Sequence, residues 1–271
     1  DDSFLGSVQR IHEYLRAGDV FQVNLSRGWL AHSNKNVSAT ELYRRLRKAN
    51  PAPFAALLQH GNAALLSSSP ERLVQVQNGV AQTRPIAGTR ARAQLREQDE
   101  LLKATLVQDP KEIAEHIMLI DLERNDLGRV CQPGSIVVDE LLSVESYTHV
   151  HHIVSNVRGQ LRAGVGPVDV LKALFPGGTI TGCPKVRCME IIAELERTPR
   201  GAYTGAIGFI NRNGEMDFNI LIRSMTLQNH ADSAELSFRA GAGIVADSVA
   251  EKELAETALK AEGLLRALRS I

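Results

Sequence analysis

The chain has 271 residues, 44% hydrophobic and 23% charged, enough for one large packed domain or two small ones. Its 31 basic and 31 acidic side chains cancel, which excludes the basic footprint of a nucleic-acid or anionic-membrane binder. No apolar run approaches the roughly 20 residues of a membrane span, and Asp1-Asp2-Ser3 does not look like a secretory signal, so a cytoplasmic protein read from an internal start is expected.

In chain order, Phe4, Val8, Ile11 and Leu15 share one face of a helix that runs to Ala17 and stops at Gly18-Asp19. Val20 to Leu30 reads as a strand, and Ala39 to Lys48 as a helix ended by Asn50-Pro51. Ala63–Ser67, Arg72–Gln77 and Val80–Thr83 read as strands, the last two joined by an Asn78-Gly79 hairpin turn. A long helix is expected from Glu97 to Leu122, broken near Pro110. Ser135–Val144 and Thr148–Gln160 look extended, and Val168–Leu174 is a short helix. A Pro176-Gly177-Gly178 loop precedes a helix over Lys185–Glu196. Thr204–Asn211 and Met216–Leu227 pair around Asn213-Gly214, Ser237–Ile244 adds a strand, and Ser248–Leu268 closes the chain as an amphipathic helix. Hairpin-paired strands with helices between them give a mixed α/β (α+β) fold with largely antiparallel sheet.

Chemistry-bearing residues read alone stay ambiguous. Cys131, Cys183 and Cys188 have neither paired nor zinc-site spacing; a reducing compartment and small buried side chains account for them. Glu112 and Glu115 on one helix, and Glu253 and Glu256 on another, are three apart and so share a face. They offer hard oxygen ligands of the kind Mg²⁺ takes, although acidic pairs on helices are ordinarily solvated. Gly177-Gly178-Thr179 and Gly241-Ala242-Gly243 can present backbone N–H groups to an anion, or simply turn or pack closely. His151 and His152 lie on one strand, so their rings face opposite ways and form no bidentate clamp.

The motifs together carry more. Ser69-Pro70-Glu71, Arg84-Pro85-Ile86-Ala87-Gly88-Thr89-Arg90, Ala114-Glu115-His116 leading to Asp121–Arg129, and Val150–Ser155 occur in that order. Gly182-Cys183-Pro184-Lys185, Ile222-Arg223 and Ala240–Ser248 follow. In order and spacing, across essentially the whole chain, they resemble the chorismate-utilising enzymes. The likeness is to the C-terminal catalytic part of anthranilate synthase and aminodeoxychorismate synthase large subunits (component I). It implies a sandwich of two large, mainly antiparallel sheets with helices outside. It also makes residues 1–271 one chorismate-binding catalytic domain of a longer chain.

By matching motif positions, the resemblance makes Glu115 and Glu256 ligands of Mg²⁺, with Glu112 and Glu253 supporting them. Arg223, Lys260 and the Gly241-Ala242-Gly243 backbone become partners for the substrate carboxylates. Thr89, after the Gly88 turn, lines the ring; His152 lies near the leaving 4-hydroxyl, and Glu71 is its general acid/base. Thr179 and Tyr203 are further candidates, the tyrosine reading equally as a half-buried strand residue. Ammonia would come from a separate glutamine amidotransferase subunit, since no cysteine sits in a Gly-x-Cys-x-Gly turn. A non-catalytic binding module would be expected to have lost one of these side chains; all are present.

Two positions bear on the chemistry. Water-using relatives carry a lysine base where this chain has Gln22, which favours ammonia. Ala87 stands where many aminodeoxychorismate synthases have a covalent lysine and anthranilate synthases have alanine. Asn24 and the Gly177–Gly182 stretch look more like aminodeoxychorismate synthase. The expectation is therefore an aminodeoxychorismate synthase with a Pro85–Thr89 motif lacking the lysine, working through a non-covalent 2-amino-2-deoxyisochorismate intermediate on the folate route. The alternative is anthranilate synthase component I, releasing anthranilate and pyruvate.

Overall fold

The computed structural model describes residues 1–93, 95–146 and 150–269; the side chains of residues 89, 91 and 150 also lie outside that description. Helix α1 (Asp2–Ala17) buries Phe4, Val8 and Ile11. It ends where Gly18 takes φ 78°, a left-handed cap that glycine adopts without a Cβ clash. There follow β1 (Gln22–Ser33), α2 (Ala39–Ala49), β2 (Phe54–His60), β3 (Ala63–Ser69), β4 (Arg72–Gln77), β5 (Val80–Thr83) and β6 (Ile86–Ala91). Next come α3 (Arg96–Leu106), α4 (Pro110–Gly128), β7 (Val137–Ser146), β8 (Val150–Gln160) and α5 (Pro167–Leu174). A 3₁₀ turn over Gly178–Ile180 leads to β9 (Gly182–Cys183), α6 (Lys185–Glu196), β10 (Ala206–Ile210) and β11 (Met216–Ile220). The chain closes with β12 (Ser224–Asn229), β13 (Ala234–Ile244) and α7 (Ala250–Leu268). The expected class holds: two large, mainly antiparallel sheets accompanied by helices.

Several boundaries differ from the sequence expectation. The first strand begins at Gln22 and runs on to Ser33. Strands β2 and β6 were not expected; β2 carries half-exposed and exposed residues, so no apolar alternation marks it. The start expected at Thr148 lies outside the described residues. The long helix does break at Pro110, which takes the first helical position while the Asp109 carboxylate caps α4 through Lys111 and Glu112 N–H. The strand expected over Met216–Leu227 is two strands. Arg223 has φ 51°, and β11 and β12 belong to different sheets.

The chain divides into two compact units. Unit 1 comprises Asp1–Pro70, Ile180–Ile207 and Asn219–Ile271; unit 2 comprises Glu71–Thr179 and Gly208–Phe218. In unit 1 the sheet order is β2-β3-β12-β13-β1-β9. Its longest pairing, β1 with β13, stays in register from Val23 opposite Ile244 to Ser33 opposite Ala234. The period-2 pleat separates two faces. Val23, Leu25, Ala242 and Ile244 pack with Phe4, Val8 and Ile11 of α1 and Cys188 and Ile191 of α6. Further along the sheet, Leu66, Met225, Leu236 and Phe238 pack with Leu42 and Leu46 of α2 and Leu264 of α7. Each such side chain, fully buried, contributes roughly 1.5–3 kcal/mol. Gln22, Asn24 and Ser26, with Gly241 and Gly243 across from them, line the other face of the β1–β13 pair.

Unit 2 is organised around β8. Strands β5 and β6 pair in succession along it, and β7 pairs with it as well. The Asn78-Gly79 hairpin joins β4 to β5 with both residues at positive φ, 50° and 74°, as a tight two-residue turn requires. Helix α4 packs on β6 and β8. Gly178 lies against it so closely that a Cβ there would stand 2.3 Å from Leu122 Cδ2.

Candidate active site

In unit 2 the candidate residues gather where β6 crosses the start of α4. Gly88 has φ 77°, and the pairing of β6 with β8 shifts register between Ala87 and Thr89. This is a glycine bulge that re-aims the strand. A Cβ on Gly88 would lie 3.2 Å from Glu112 Oε2 and 3.0 Å from Ile153 Cδ1, so the bulge sits directly on the Glu112 carboxylate. Arg90 locks the arrangement, donating from Nη1 to Glu112 Oε1 and from Nη2 to Asp109 Oδ2, both at 2.9 Å. Asp109 thus caps α4 with one oxygen and holds β6 with the other. Thr89 pairs in register with His152; its side chain lies outside the described residues. Ala87 is opposite Ile153.

Beneath this bulge His116 is fully buried and bonded through Nε2 to Ser155 Oγ at 2.7 Å. Burial pushes its pKa down to about 4 against a weaker opposing pull from the Ala87 backbone, so the ring stays neutral. His151 and His152 face opposite ways as expected. His151 is buried and bonds Asp99 Oδ1 at 2.9 Å and Ser146 Oγ at 2.8 Å, whereas His152 is half-buried. Glu71, between β3 and β4, is only 6% exposed.

In unit 1 the candidates meet on β13. Gly241 leaves no room for a side chain: a Cβ would lie 2.7 Å from Leu25 O, 2.7 Å from the Tyr203 hydroxyl and 2.8 Å from Asn24 Oδ1. At Gly243 it would lie 2.1 Å from Gln22 Nε2. Lys260 on α7 donates to Gly241 O at 3.1 Å and pairs with Glu256 one turn earlier. Lys260, Glu256, Gly241, Ala242 and Tyr203 therefore form one neighbourhood. Burial raises the Tyr203 pKa to about 12, so it is a neutral hydroxyl. Arg223 occupies the break between β11 and β12, its carbonyl accepting from Ser68 N–H. Glu253 is buried, 8% exposed, while the Glu256 side chain is 45% exposed; the two members of that pair occupy different surroundings. Thr179 Oγ1 is buried with no hydrogen-bond partner, and nothing described joins it to the other candidates.

The structure adds residues that motif reading did not single out. Glu196 at the end of α6, its side chain 2% exposed, accepts from Ser26 N and Oγ, from Arg200 and from Arg239. Arg200 also donates to Asn24 O and Ile180 O and lies over the Tyr203 ring, 5.4 Å from its centroid. This ion cluster holds the Tyr203 segment. A period-2 polar run on β1 opposite spaced glycines on β13 was the signal that could have pointed to it.

The carboxylates suit a hard divalent cation by donor type. Among the described residues no three His, Cys, Asp or Glu side chains are grouped to hold a metal. Mg²⁺ needs only one or two protein carboxylates beside water and substrate oxygens, so the donor set fits. Glu112, engaged by Arg90, suits a supporting role better than a direct one. Also among the described residues, no helix is long and apolar enough to cross a membrane.

The chain is similar over nearly its whole length to known proteins. A protein of Synechocystis sp. described as anthranilate synthase component I-like is 48% identical over 270 residues, covering all of this chain and 55% of the relative. Aminodeoxychorismate synthase component 1 of Bacillus subtilis is 48% identical over 269 residues, covering 99% of this chain and 56% of the relative. The crystal structure of anthranilate synthase component I from Streptococcus pneumoniae superposes with TM-score 0.86 at 41% identity, over 96% of this chain and 57% of that one. The chain thus spans about half the length of the relatives it matches. Residues 1–266 match the family described as chorismate binding enzyme, and the chain belongs to that family.

Proposed function

We propose that the chain is a catalytic domain, over 1–271, that aminates chorismate with ammonia in the presence of Mg²⁺ to give 4-amino-4-deoxychorismate. The observation that carries the amination is Gln22. Its side chain is buried on the polar face of β1 beside Gly243. A neutral amide cannot deprotonate water, whereas ammonia needs no base to act as a nucleophile. Glu115 and Glu256 are assigned to the metal, with Glu112 and Glu253 in support; bound Mg²⁺ would neutralise the ring carboxylate and stabilise charge developing there. Arg223, Lys260 and the Gly241–Gly243 backbone recognise carboxylates. Glu71 gives a proton to the 4-hydroxyl as it leaves, with His152 beside it, while ammonia bonds to C2. A second ammonia then bonds to C4 as the first amine leaves. Ala87 offers no nucleophile, so the intermediate stays non-covalent. A separate glutaminase subunit supplies the ammonia.

The second reading is anthranilate synthase, in which the same 2-amino intermediate loses a C2 proton and pyruvate. It is supported by the names of the Synechocystis and Streptococcus relatives. Each 1.36 kcal/mol of barrier is tenfold in rate, so the partition rests on small differences. Product analysis separates the two. The protein with its whole natural chain is incubated with chorismate, Mg²⁺ and ammonium, and the products are resolved by chromatography with mass detection. Aminodeoxychorismate upholds the first reading; anthranilate with pyruvate replaces it by the second. Glu115→Gln or Glu256→Gln should raise the Mg²⁺ requirement at least about tenfold, the worth of one charged ligand contact. Full activity at limiting Mg²⁺ would remove that residue from the ligand set.

A further inference from the structure

Three side chains of unit 2 that carry no assigned role lie in line. His151 Nε2 is 2.9 Å from Asp99 Oδ1, and His151 Nδ1 is 2.8 Å from Ser146 Oγ. Ser146 ends β7 directly opposite His151 on β8, so the two side chains leave the same face of the ladder. Asp99 reaches the other edge of the ring from α3.

The protons on this line can be placed. Asp99 also accepts from Arg92 Nη2 at 2.6 Å, from Arg92 Nε at 3.1 Å and from Ala93 N–H at 3.0 Å. A carboxylate with that many donors is ionised and only accepts. His151 Nε2 must therefore carry a proton, and in the neutral ring Nδ1 is left with its lone pair facing Ser146. The serine hydroxyl donates to it. A hydroxyl held by an imidazole that a carboxylate orients is the arrangement of an activated nucleophile.

Exposure separates this group from a bond that only holds the fold. His116 and Ser155 pair at 2.7 Å, but both are fully buried, so no reagent reaches that hydroxyl. Asp99 and His151 are buried as well, whereas Ser146 is open to solvent. The orienting groups are dry and fixed, and the nucleophile is at the surface.

We propose that Ser146, His151 and Asp99 form a nucleophilic triad through which Ser146 takes an acyl group from an activated ester or thioester. Ser146 Oγ bonds to the acyl carbon as its proton passes to His151 Nδ1. Asp99 steadies the imidazolium that results. The bond between the acyl carbon and its leaving group then breaks, the electron pair goes with the leaving group, and His151 Nδ1 returns the proton to it. The products are a Ser146 ester and the free alcohol or thiol. The step needs neither chorismate nor Mg²⁺, so it stands apart from the amination reading.

The test incubates the whole protein with p-nitrophenyl acetate, follows release of p-nitrophenol by absorbance and locates the acetyl group by peptide mass mapping. Ser146 is expected to be acetylated at least about a hundredfold faster than any other serine, the low end of what a positioned base supplies. Ser146→Ala should lose that acetylation. His151→Gln should slow it by a similar factor, since the glutamine amide can keep the donation to Asp99 but offers no base. Acetylation of Ser146 no faster than that of other serines, or unchanged in His151→Gln, overturns the triad. If His151→Gln does not stay folded at the assay temperature, Ser146→Cys decides. Burial pushes the native thiols Cys131, Cys183 and Cys188 up, so they react slowly. A thiol paired with His151 ionises early and should be alkylated by iodoacetamide at about pH 6, where an ordinary thiol of pKa about 8.5 is mostly protonated. Alkylation at that pH upholds the triad, and its absence overturns it.

Discussion

At the scale of single residues, the two glycines of β13 differ in what they forbid. A Cβ at Gly241 meets the backbone oxygen of Leu25, which cannot move without its strand, whereas at Gly243 it meets the end of the Gln22 side chain. Gly241→Ala should therefore lower stability by about 1–3 kcal/mol, the usual cost of overpacking, and Gly243→Ala much less. Urea midpoints of the two variants check this ordering. A second expectation concerns Asp99, buried against Arg92 and His151. The Arg92 guanidinium, followed by the His151 hydrogen bond, holds its carboxyl well below its ordinary value of 3.8. Stability from Asp99 is thus fully present above about pH 4 and is lost as pH falls through the lower folded pKa. Asp99→Asn should flatten the fall in unfolding free energy between about pH 5 and 2.5, measured by urea titration across that range. Motif reading singled out Gly88 with Glu112 and Gly241 with Lys260, pairs that lie in contact in the structure. Asp99 and Glu196 were not legible, because beside a near partner, Arg92 and Arg200, each depends on others far along the chain, His151 for the first and Ser26 and Arg239 for the second.

Among elements, the helices were readable from their boundary signals, Gly18 ending α1 and Asp109-Pro110 starting α4. Strands were less so. The break between β11 and β12, with Arg223 at positive φ, lies within a β-forming run, and the two strands belong to different sheets. Positive φ in a bulky residue is strained, and it falls on a substrate-binding candidate. The tie between β1, α6 and β13 through Glu196 is likewise an element-level device. One carboxylate satisfies Ser26 on β1 and Arg239 on β13, together with Arg200 beyond the end of α6. Glu196→Gln leaves two guanidinium groups without their anion, and a loss of about 3–5 kcal/mol is expected. If thermal unfolding of the variant matches that of the unaltered protein, the cluster does not contribute to stability as described.

For the whole molecule, family membership and the two-sheet class were readable from motif order, whereas the division into units was not, because it depends on how the chain is threaded. Unit 1 is built from three separate stretches, and unit 2 takes up the chain between them. The longest ladder in unit 1 joins β1 to β13, residues on the order of 200 positions apart. During synthesis, β1 leaves the ribosome long before its partner exists, exposing Val23 and Leu25 and an unpaired strand edge. A chain ended after residue 233 should therefore show no protected amides in β1 by hydrogen exchange, while β4, β5 and β8 of unit 2 retain protection. Protection of β1 in that fragment would show that it finds another partner. Completion of unit 1 must then wait for Asn219–Ile271, so until that stretch has been made the earlier part of the chain depends on whatever shields β1.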